Sequence, residues 1–548
     1  MNSFIIPTTI PSLFSETLKK HGDRNALSFI DEKPLTYKEV DQKINSLINF
    51  LEKNNIKKGD RVAILGTNMP NWGISFYAVT FKGAVAVPIL PEFSKSEIQN
   101  VINHSESKLL IISSSLLSKI EHLDGNQLKT VVLMENFLPV KTSGEFVAYS
   151  ENSRPSEKYS VNCEDLASII YTSGTTGKSK GVMLSHGNIT FNAIAGSKIH
   201  YLDENDRFLS VLPLSHTYEN TLGLILPMLR GACVYYLRKP PTPAVLLPAL
   251  GKVRPTAMLT VPLIIEKIYF NKILPSLRKN IMIRSIYKIP PIRKLLNRLA
   301  GKKLMKTFGG ELRFYGIGGA KLNSTVEKFL IEASFPYAIG YGLTETSPLL
   351  AGAGPANSVY ESTGPSIEGV ELKIHNPDPV TGEGEIWAKG PNVMIGYFKD
   401  PELTAEVITS DGWFKTGDLD VFDKRNNLYI KGRAKNVIVG ASGENIYPEE
   451  IESLINSFRH VVESIVIEQK GKLVALVHLN IEEIEKKYNI MKNEASRRFE
   501  EKKEEILREI QEYVNSKVNK FSRISKVVYQ PLPFEKTATQ KIKRYIYK

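Results

Sequence analysis

Cysteine is nearly absent. Cys163 and Cys233 are the only two in 548 residues. One pair cannot make a disulfide framework the main stabiliser, and no zinc cluster can be built from cysteine. The scarcity fits a reducing compartment. Long apolar runs are missing as well. The most hydrophobic stretch, 221–237, is interrupted by Pro227 and Arg230 and is too short to cross a bilayer, so a buried core segment is expected there. The first residues, Met1-Asn2-Ser3-Phe4-Ile5-Ile6-Pro7, lack a basic head followed by an apolar run, and no signal peptide is expected. Acidic residues are the minority: 58 Asp and Glu face 71 Lys and Arg, for a net charge of +13. The excess is concentrated, because residues 271–306 carry eleven Lys or Arg and no Asp or Glu. A solvated basic face, a membrane surface and an anionic substrate all fit such a stretch. No recognisable binding module accompanies it, and nucleic acid is not expected as a partner.

What is present is a large core. Hydrophobic residues make up 42% of the chain and charged residues 24%, a composition that folds but is too long for one ordinary domain. In 37–54, Val40, Ile44, Leu47, Ile48 and Leu51 recur at helical spacing. Residues 61–66, 84–89, 109–112 and 131–134 read as strands, with a helix over 71–81. This alternation predicts an α/β class with helices packed on sheets. The C-terminal part reads differently. A helix over 448–458 starts on Pro448, Glu449 and Glu450, residues suited to a helix N-terminus. Two strands, 461–468 and 473–479, flank a turn at Lys470-Gly471-Lys472, and a long charged helix is expected over about 481–520. The predicted organisation is a large α/β domain, 1–435, and a small α+β domain, 436–548.

One loop carries the first functional signal. After an apolar strand at 166–170 comes Tyr171-Thr172-Ser173-Gly174-Thr175-Thr176-Gly177-Lys178-Ser179-Lys180-Gly181. Glycines let backbone N–H groups turn toward an anion, hydroxyls add donors, and lysine adds charge. The loop suits a polyphosphate. It is not the P-loop of kinases and GTPases, which needs four residues between its glycine and its Gly-Lys pair.

The segment closely resembles the signature loop of the adenylate-forming superfamily of acyl-CoA synthetases, luciferases and peptide-synthetase adenylation domains. The resemblance runs from about Leu35 to the C-terminus, with further motifs in the family's order. It assigns Thr172, Ser173, Gly174, Thr175, Thr176, Gly177 and Lys180 to the nucleotide phosphates. In Tyr341-Gly342-Leu343-Thr344-Glu345-Thr346 it implies that Tyr341 packs on adenine beside Gly342, that Thr344 contacts phosphate, and that Glu345 helps hold Mg²⁺. Gly318-Gly319-Ala320 resembles the adenine-binding turn, giving Gly319 and Ala320. Trp413-Phe414-Lys415-Thr416-Gly417-Asp418-Leu419 and Gly432-Arg433 resemble the elements whose aspartate and arginine reach the ribose, giving Asp418 and Arg433. Near the end, Lys536-Thr537-Ala538-Thr539-Gln540-Lys541-Ile542-Lys543-Arg544 resembles the family's catalytic-lysine segment. Gln540 replaces the usual glycine there. Lys541 is the expected catalytic lysine, and Lys543 competes with it.

The resemblance implies a two-step reaction. A carboxylate attacks the α-phosphate of ATP, giving acyl-AMP and pyrophosphate, and a thiol then attacks the mixed anhydride. An ammonium between carboxylate and phosphate would offset the developing charge. Between steps the small domain is expected to rotate about a hinge at Asn436, where many relatives carry aspartate. Gly440-Ala441-Ser442-Gly443-Glu444-Asn445 resembles the loop lining the thiol tunnel. Leu212-Pro213-Leu214-Ser215-His216-Thr217-Tyr218-Glu219 resembles the motif near the carboxylate site, where His216 orients the acid, gates the thiol or is merely structural. This motif, Arg230-Gly231-Ala232, the segment 261–269 and the basic insert look most like the long-chain fatty acyl-CoA synthetase branch. The expected substrates are a fatty acid, ATP and coenzyme A, with Mg²⁺ as cofactor. A fatty acyl-AMP ligase, an acyl-carrier-protein synthetase and a non-catalytic binding member of the fold are the alternatives. The expected location is cytoplasmic, with peripheral contact to an anionic membrane through 271–306, where Lys and Arg interleave with Ile, Leu and Tyr.

Overall fold

The computed structural model describes residues 7–121, 128–156, 159–173, 179–277, 281–439, 445–458, 460–488, 497–537 and 541–547. Two eight-stranded sheets dominate. One runs in the order Leu349–Gly352, Tyr337–Gly342, Phe314–Ile317, Ala257–Thr260, Arg207–Ser210, Cys233–Tyr236, Asn25–Phe29 and Leu35–Thr36. The other runs Gly396–Tyr397, Ser179–Ser185, Leu166–Ser173, Val85–Ile89, Arg61–Leu65, Leu109–Ile112, Thr130–Leu133 and Pro139–Thr142. Their central strands pair in parallel and their outer strands antiparallel. The continuous Val, Ile and Leu content of the central strands is what burial on both faces demands.

Helices fill the space between the sheets. The helix Tyr37–Lys53 begins where Thr36 and Glu39 form a reciprocal capping box, and buries the apolar stripe seen in the sequence. Pro70–Phe81 is apolar on nearly all sides, with Trp72, Phe76 and Tyr77 essentially inaccessible, and it lies within the core that joins both sheets. The apolar stretch 221–237 is interior: a seven-residue π-helix, Glu219–Ile225, then Leu226–Leu229 and the strand Cys233–Tyr236. Among the described residues, no helix is long and apolar enough to cross a membrane.

A four-stranded antiparallel sheet, Glu371–His375, Gly384–Lys389, Phe414–Phe422 and Leu428–Arg433, follows. The C-terminal part has a separate core. Ile451 and Ile455 from the helix Pro448–Asn456 pack with Val466, Ala475, Ile510 and Val514. The long C-terminal helix differs from expectation. Within the described residues the helical stretch comprises Ile481–Tyr488 and Arg497–Asn515, and it stops five residues short of Lys520. Asn515 ends it by bonding in both directions with the backbone of Ile524, which turns the chain into an unanticipated third strand, Lys526–Tyr529, beside Lys472–Leu479.

The basic insert forms the short helix Ile281–Ile286 and the eighteen-residue helix Pro290–Thr307. Only Asn297, Gly301 and Leu304 of the longer helix are buried. Arg293 departs from the rest of the basic face. It pairs with Glu332, whose other oxygen accepts from Asn297, so its charge is satisfied internally.

Candidate active site

The hairpin formed by Leu166–Ser173 and Ser179–Ser185 sets Thr172 opposite Lys180 and Ser173 opposite Ser179. The expected phosphate-loop residues Gly174, Thr175, Thr176 and Gly177 lie outside the described residues, as does the Ser173 side chain. The flanks are fixed: Tyr171 is buried, and its hydroxyl shares a 2.8 Å hydrogen bond with His104 Nδ1.

On the first sheet, the strand Tyr337–Gly342 runs into a single 3₁₀ turn, Thr344–Thr346, that carries Glu345. Gly342 cannot be replaced there, because a Cβ would sit 1.9 Å from the Pro348 carbonyl oxygen. Thr346 Oγ1 donates to the Pro348 carbonyl, and the buried amides of Asn192 and Asn392 donate to the Thr346 and Leu349 carbonyls. The turn presenting Thr344 and Glu345 is therefore held rigidly from behind. The nearby turn at Gly319 has φ +83°, a conformation that favours glycine, and Gly319 and Ala320 are exposed.

Tyr397 joins these two elements. Its hydroxyl donates to Glu345 Oε1 at 2.9 Å, and the Lys180 ammonium lies 5.0 Å from its ring centroid. Burial and the Glu345 charge hold the phenol well above its usual pKa, so it remains a donor. Sequence reasoning missed this residue. It sits on the two-residue strand Gly396–Tyr397, and no spacing or composition marks it.

Asp418 lies within the strand Phe414–Phe422 and is 5% exposed, rather than being an ordinary turn residue. Its Oδ2 accepts from Tyr341 Oη at 2.7 Å, and its Oδ1 meets Arg433 Nε at 2.8 Å. Burial raises the Asp418 carboxyl, and Arg433 opposes that rise. Tyr341 is itself buried, tethered to the carboxylate through its tip.

The distant C-terminal segment reaches the same place. An isolated bridge pairs Lys536 with Ile542, and the Thr537 N–H donates to the Lys541 carbonyl. The Lys541 side chain is open to solvent within the cleft yet surrounded by protein. Burial and the neighbouring Arg433 lower its pKa, while Asp418 and Glu345 act in the opposite sense. Lys543 faces Glu535 instead, at 3.8 Å.

His216 completes the group. Burial, helped by Lys541, pushes its pKa down to about 4, so the ring is neutral near pH 7. Its Nδ1 accepts the Tyr218 N–H at 3.2 Å, which leaves the proton on Nε2. A neutral ring in this tautomer donates at Nε2. That suits orienting a carboxylate better than accepting a thiol proton. Beside it runs an apolar cavity lined by Tyr218, Leu222, Leu226, Leu259 and Phe314, and by the glycines 196, 316, 340 and 352. It is narrow, about 50 Å³, room for roughly three or four water-sized groups.

The site fits a magnesium ion that arrives with phosphate. Among the described residues, no group of three or more His, Cys, Asp or Glu side chains could cage a metal. Glu345 offers one carboxylate, and Mg²⁺ bound through one carboxylate, phosphate oxygens and water needs no more. Where the junction of the two predicted domains is expected, Asn436 donates to Glu449 Oε1 at 2.6 Å from the turn Ala434–Asn436. Most of the expected thiol-tunnel loop, 440–444, lies outside the described residues.

The chain is similar to several known proteins. A "Long-chain-fatty-acid--CoA ligase heimdall" of Drosophila melanogaster is 28% identical over 520 residues, covering 84% of this chain and 74% of its own. A "Long-chain-fatty-acid--[acyl-carrier-protein] ligase AEE15, chloroplastic" of Arabidopsis thaliana is 27% identical over 570 residues, covering 87% and 77%. The crystal structure of the anthranilate CoA ligase AuaEII with anthranoyl-AMP shares the fold, with TM-score 0.79 and 20% identity over 99% of this chain and 97% of that one. The family model described as AMP-binding enzyme matches residues 14–398. The chain belongs to the AMP-binding enzyme family.

Proposed function

We propose that this protein is a long-chain fatty acid–CoA ligase that forms acyl-AMP from a fatty acid and ATP and then an acyl thioester with coenzyme A. The observation that carries the reading is convergence. Glu345, Asp418, Arg433, His216 and Lys541 come from five separated segments, yet Lys541 is electrostatically coupled to all the others.

Each residue then has a task. Asp418, held by Arg433 and Tyr341, has lone pairs left to accept from the ribose hydroxyls. Thr172, Lys180 and Thr344 line the polyphosphate, with residues 174–177 as its cradle. Gly319 and Ala320 flank the base. His216 donates through Nε2 to the acid. Lys541 bridges the carboxylate and the α-phosphate, so the charge that builds as oxygen attacks phosphorus is offset by a preset cation. Glu345, oriented by Tyr397, would hold Mg²⁺, which supplies neutralisation of phosphate charge. Residues 1–435 and 436–548 act as body and lid, with Asn436 as hinge, and the separate C-terminal core supports this division.

The test is Lys541→Ala assayed in both half-reactions. Acid-dependent pyrophosphate release should be lost, while thioester formation from supplied acyl-AMP should persist. Survival of pyrophosphate release would remove Lys541 from its role. Running wild type with coenzyme A and with acyl-carrier protein separates the two acceptors; AEE15 makes the second worth including.

The protein works in the cytoplasm and collects its acid at a membrane surface. The helix Pro290–Thr307 exposes Leu295 and Leu299 (59% and 55%), with Lys294, Arg298 and Lys302 beside them. This pattern suits an anionic bilayer. Lys294→Ala, Arg298→Ala and Leu299→Ser together should abolish flotation with phosphatidylserine vesicles. Equal flotation of wild type and variant would refute the contact. Arg293 is left intact, because it is already paired with Glu332.

A further inference from the structure

The apolar cavity beside His216 ends on a polar group. It runs along the sheet face from Gly340 and Gly316, near the chemistry, toward Phe314 and His200 at the opposite ends of the strands. There the His200 ring stacks on Phe314, centroids 5.2 Å apart and planes inclined by 24°. Around it are Leu202, Phe208 and Ile199, all hydrocarbon. His200 is half-buried, but Nε2 at its tip has no solvent contact and no hydrogen-bond partner among the described residues. The ring is kept neutral by burial and by Arg313, whose guanidinium is paired with Asp206. A neutral imidazole nitrogen donates or accepts according to tautomer, so it can serve a hydroxyl in either role.

We propose that His200 is a specificity-determining residue: it forms the floor of the acyl pocket and selects a fatty acid whose tail carries a hydroxyl at that depth. This inference rests on the ligase reading above. A saturated tail reaching the floor would keep Nε2 buried without a partner, whereas a hydroxyl would satisfy it. The same asymmetry lets sites built to hydrogen-bond a hydroxyl discriminate against analogues lacking it. The depth follows from the strand. Along this strand the lining runs from Gly316 to Phe314, two residues, about 7 Å at roughly 3.3 Å each. That is the reach of about five extended carbons with C–C bonds near 1.5 Å, the part of the tail that the cavity itself holds.

The experiment compares kcat/KM for pyrophosphate release with saturated acids of graded length and their ω-hydroxy counterparts. The two series should run together for short acids. At the length that reaches His200, the hydroxy acid should be preferred by about tenfold or more. His200→Phe keeps the stack on Phe314 and should erase the preference, while His200→Gln, which retains a donor and an acceptor, should restore part of it. A wild-type enzyme with no hydroxy preference at any length overturns the proposal without any variant, as does a preference that survives His200→Phe. If no acid in either series releases pyrophosphate, the ligase reading fails first and this inference with it.

Discussion

Glu219 opens the π-helix beside the acyl pocket and is buried as a carboxylic acid. Its Oε1 accepts from Ser210 Oγ at 2.6 Å, and its Oε2 has no partner among the described residues. Gly223, one turn on, leaves room for it, because a Cβ there would lie 2.7 Å from the carboxyl carbon. Burial pushes its pKa from 4.5 up to about 8. The folded protein therefore holds a proton between these values that the unfolded chain releases. Stability from this group is fully present below about pH 4.5 and is lost as pH rises through about 8. At about 1.4 kcal/mol per pKa unit, the loss is on the order of 5 kcal/mol. Glu219→Gln keeps the shape and removes the titration. The assay is the denaturation midpoint of wild type and variant at intervals from about pH 5 to 9. Taking the difference cancels the other titrating groups. The variant should gain on wild type steadily as pH rises and then level off. A difference that stays constant across this range would refute the reasoning, because it would mean that Glu219 is ionised in the fold or reaches water.

Asn436→Asp introduces at the proposed hinge the residue that many relatives carry, but sets a second carboxylate 2.6 Å from Glu449. The hydrogen bond to a charged group, roughly 1.5–3 kcal/mol, is lost, and repulsion adds to it. Pyrophosphate release should fall about tenfold or more, with a smaller effect on thioester formation from supplied acyl-AMP; equal effects on both steps would dissociate the contact from the adenylation arrangement. Tyr397→Phe removes the donor to Glu345 and keeps the ring beside Lys180. The Mg²⁺ concentration for half-maximal activity should rise about tenfold, and an unchanged metal titration would show that Tyr397 does not orient Glu345.

Local patterns in the chain are legible because they depend on near neighbours. The helix Tyr37–Lys53 is written in its apolar period and in Thr36 and Glu39, local features that need no tertiary information. The strands Arg61–Leu65, Val85–Ile89 and Leu109–Ile112 are written in β-branched runs. The end of Arg497–Asn515 is not, because its charged period continues past the stop. What ends it is an amide pairing with a backbone nine residues away, and that pairing exists only once Lys526–Tyr529 joins the sheet.

The site divides along the same line. The resemblance to the adenylate-forming family singled out Glu345, Asp418 and Lys541 as candidates, but it carried no information on what holds them. Tyr341 and Asp418 are 77 residues apart and meet because the first sheet's edge faces the four-stranded sheet. Tyr397 reaches Glu345 because a two-residue strand extends the second sheet to the first sheet's turn. Strands that come together in space position these groups, and Tyr397, Asn192 and Asn392, which steady them, have no linear signature. Substitutions at Tyr341, Tyr397, Asn192 and Asn392 should therefore impair the chemistry through misplacement, raising metal or nucleotide requirements before they lower the fold's stability.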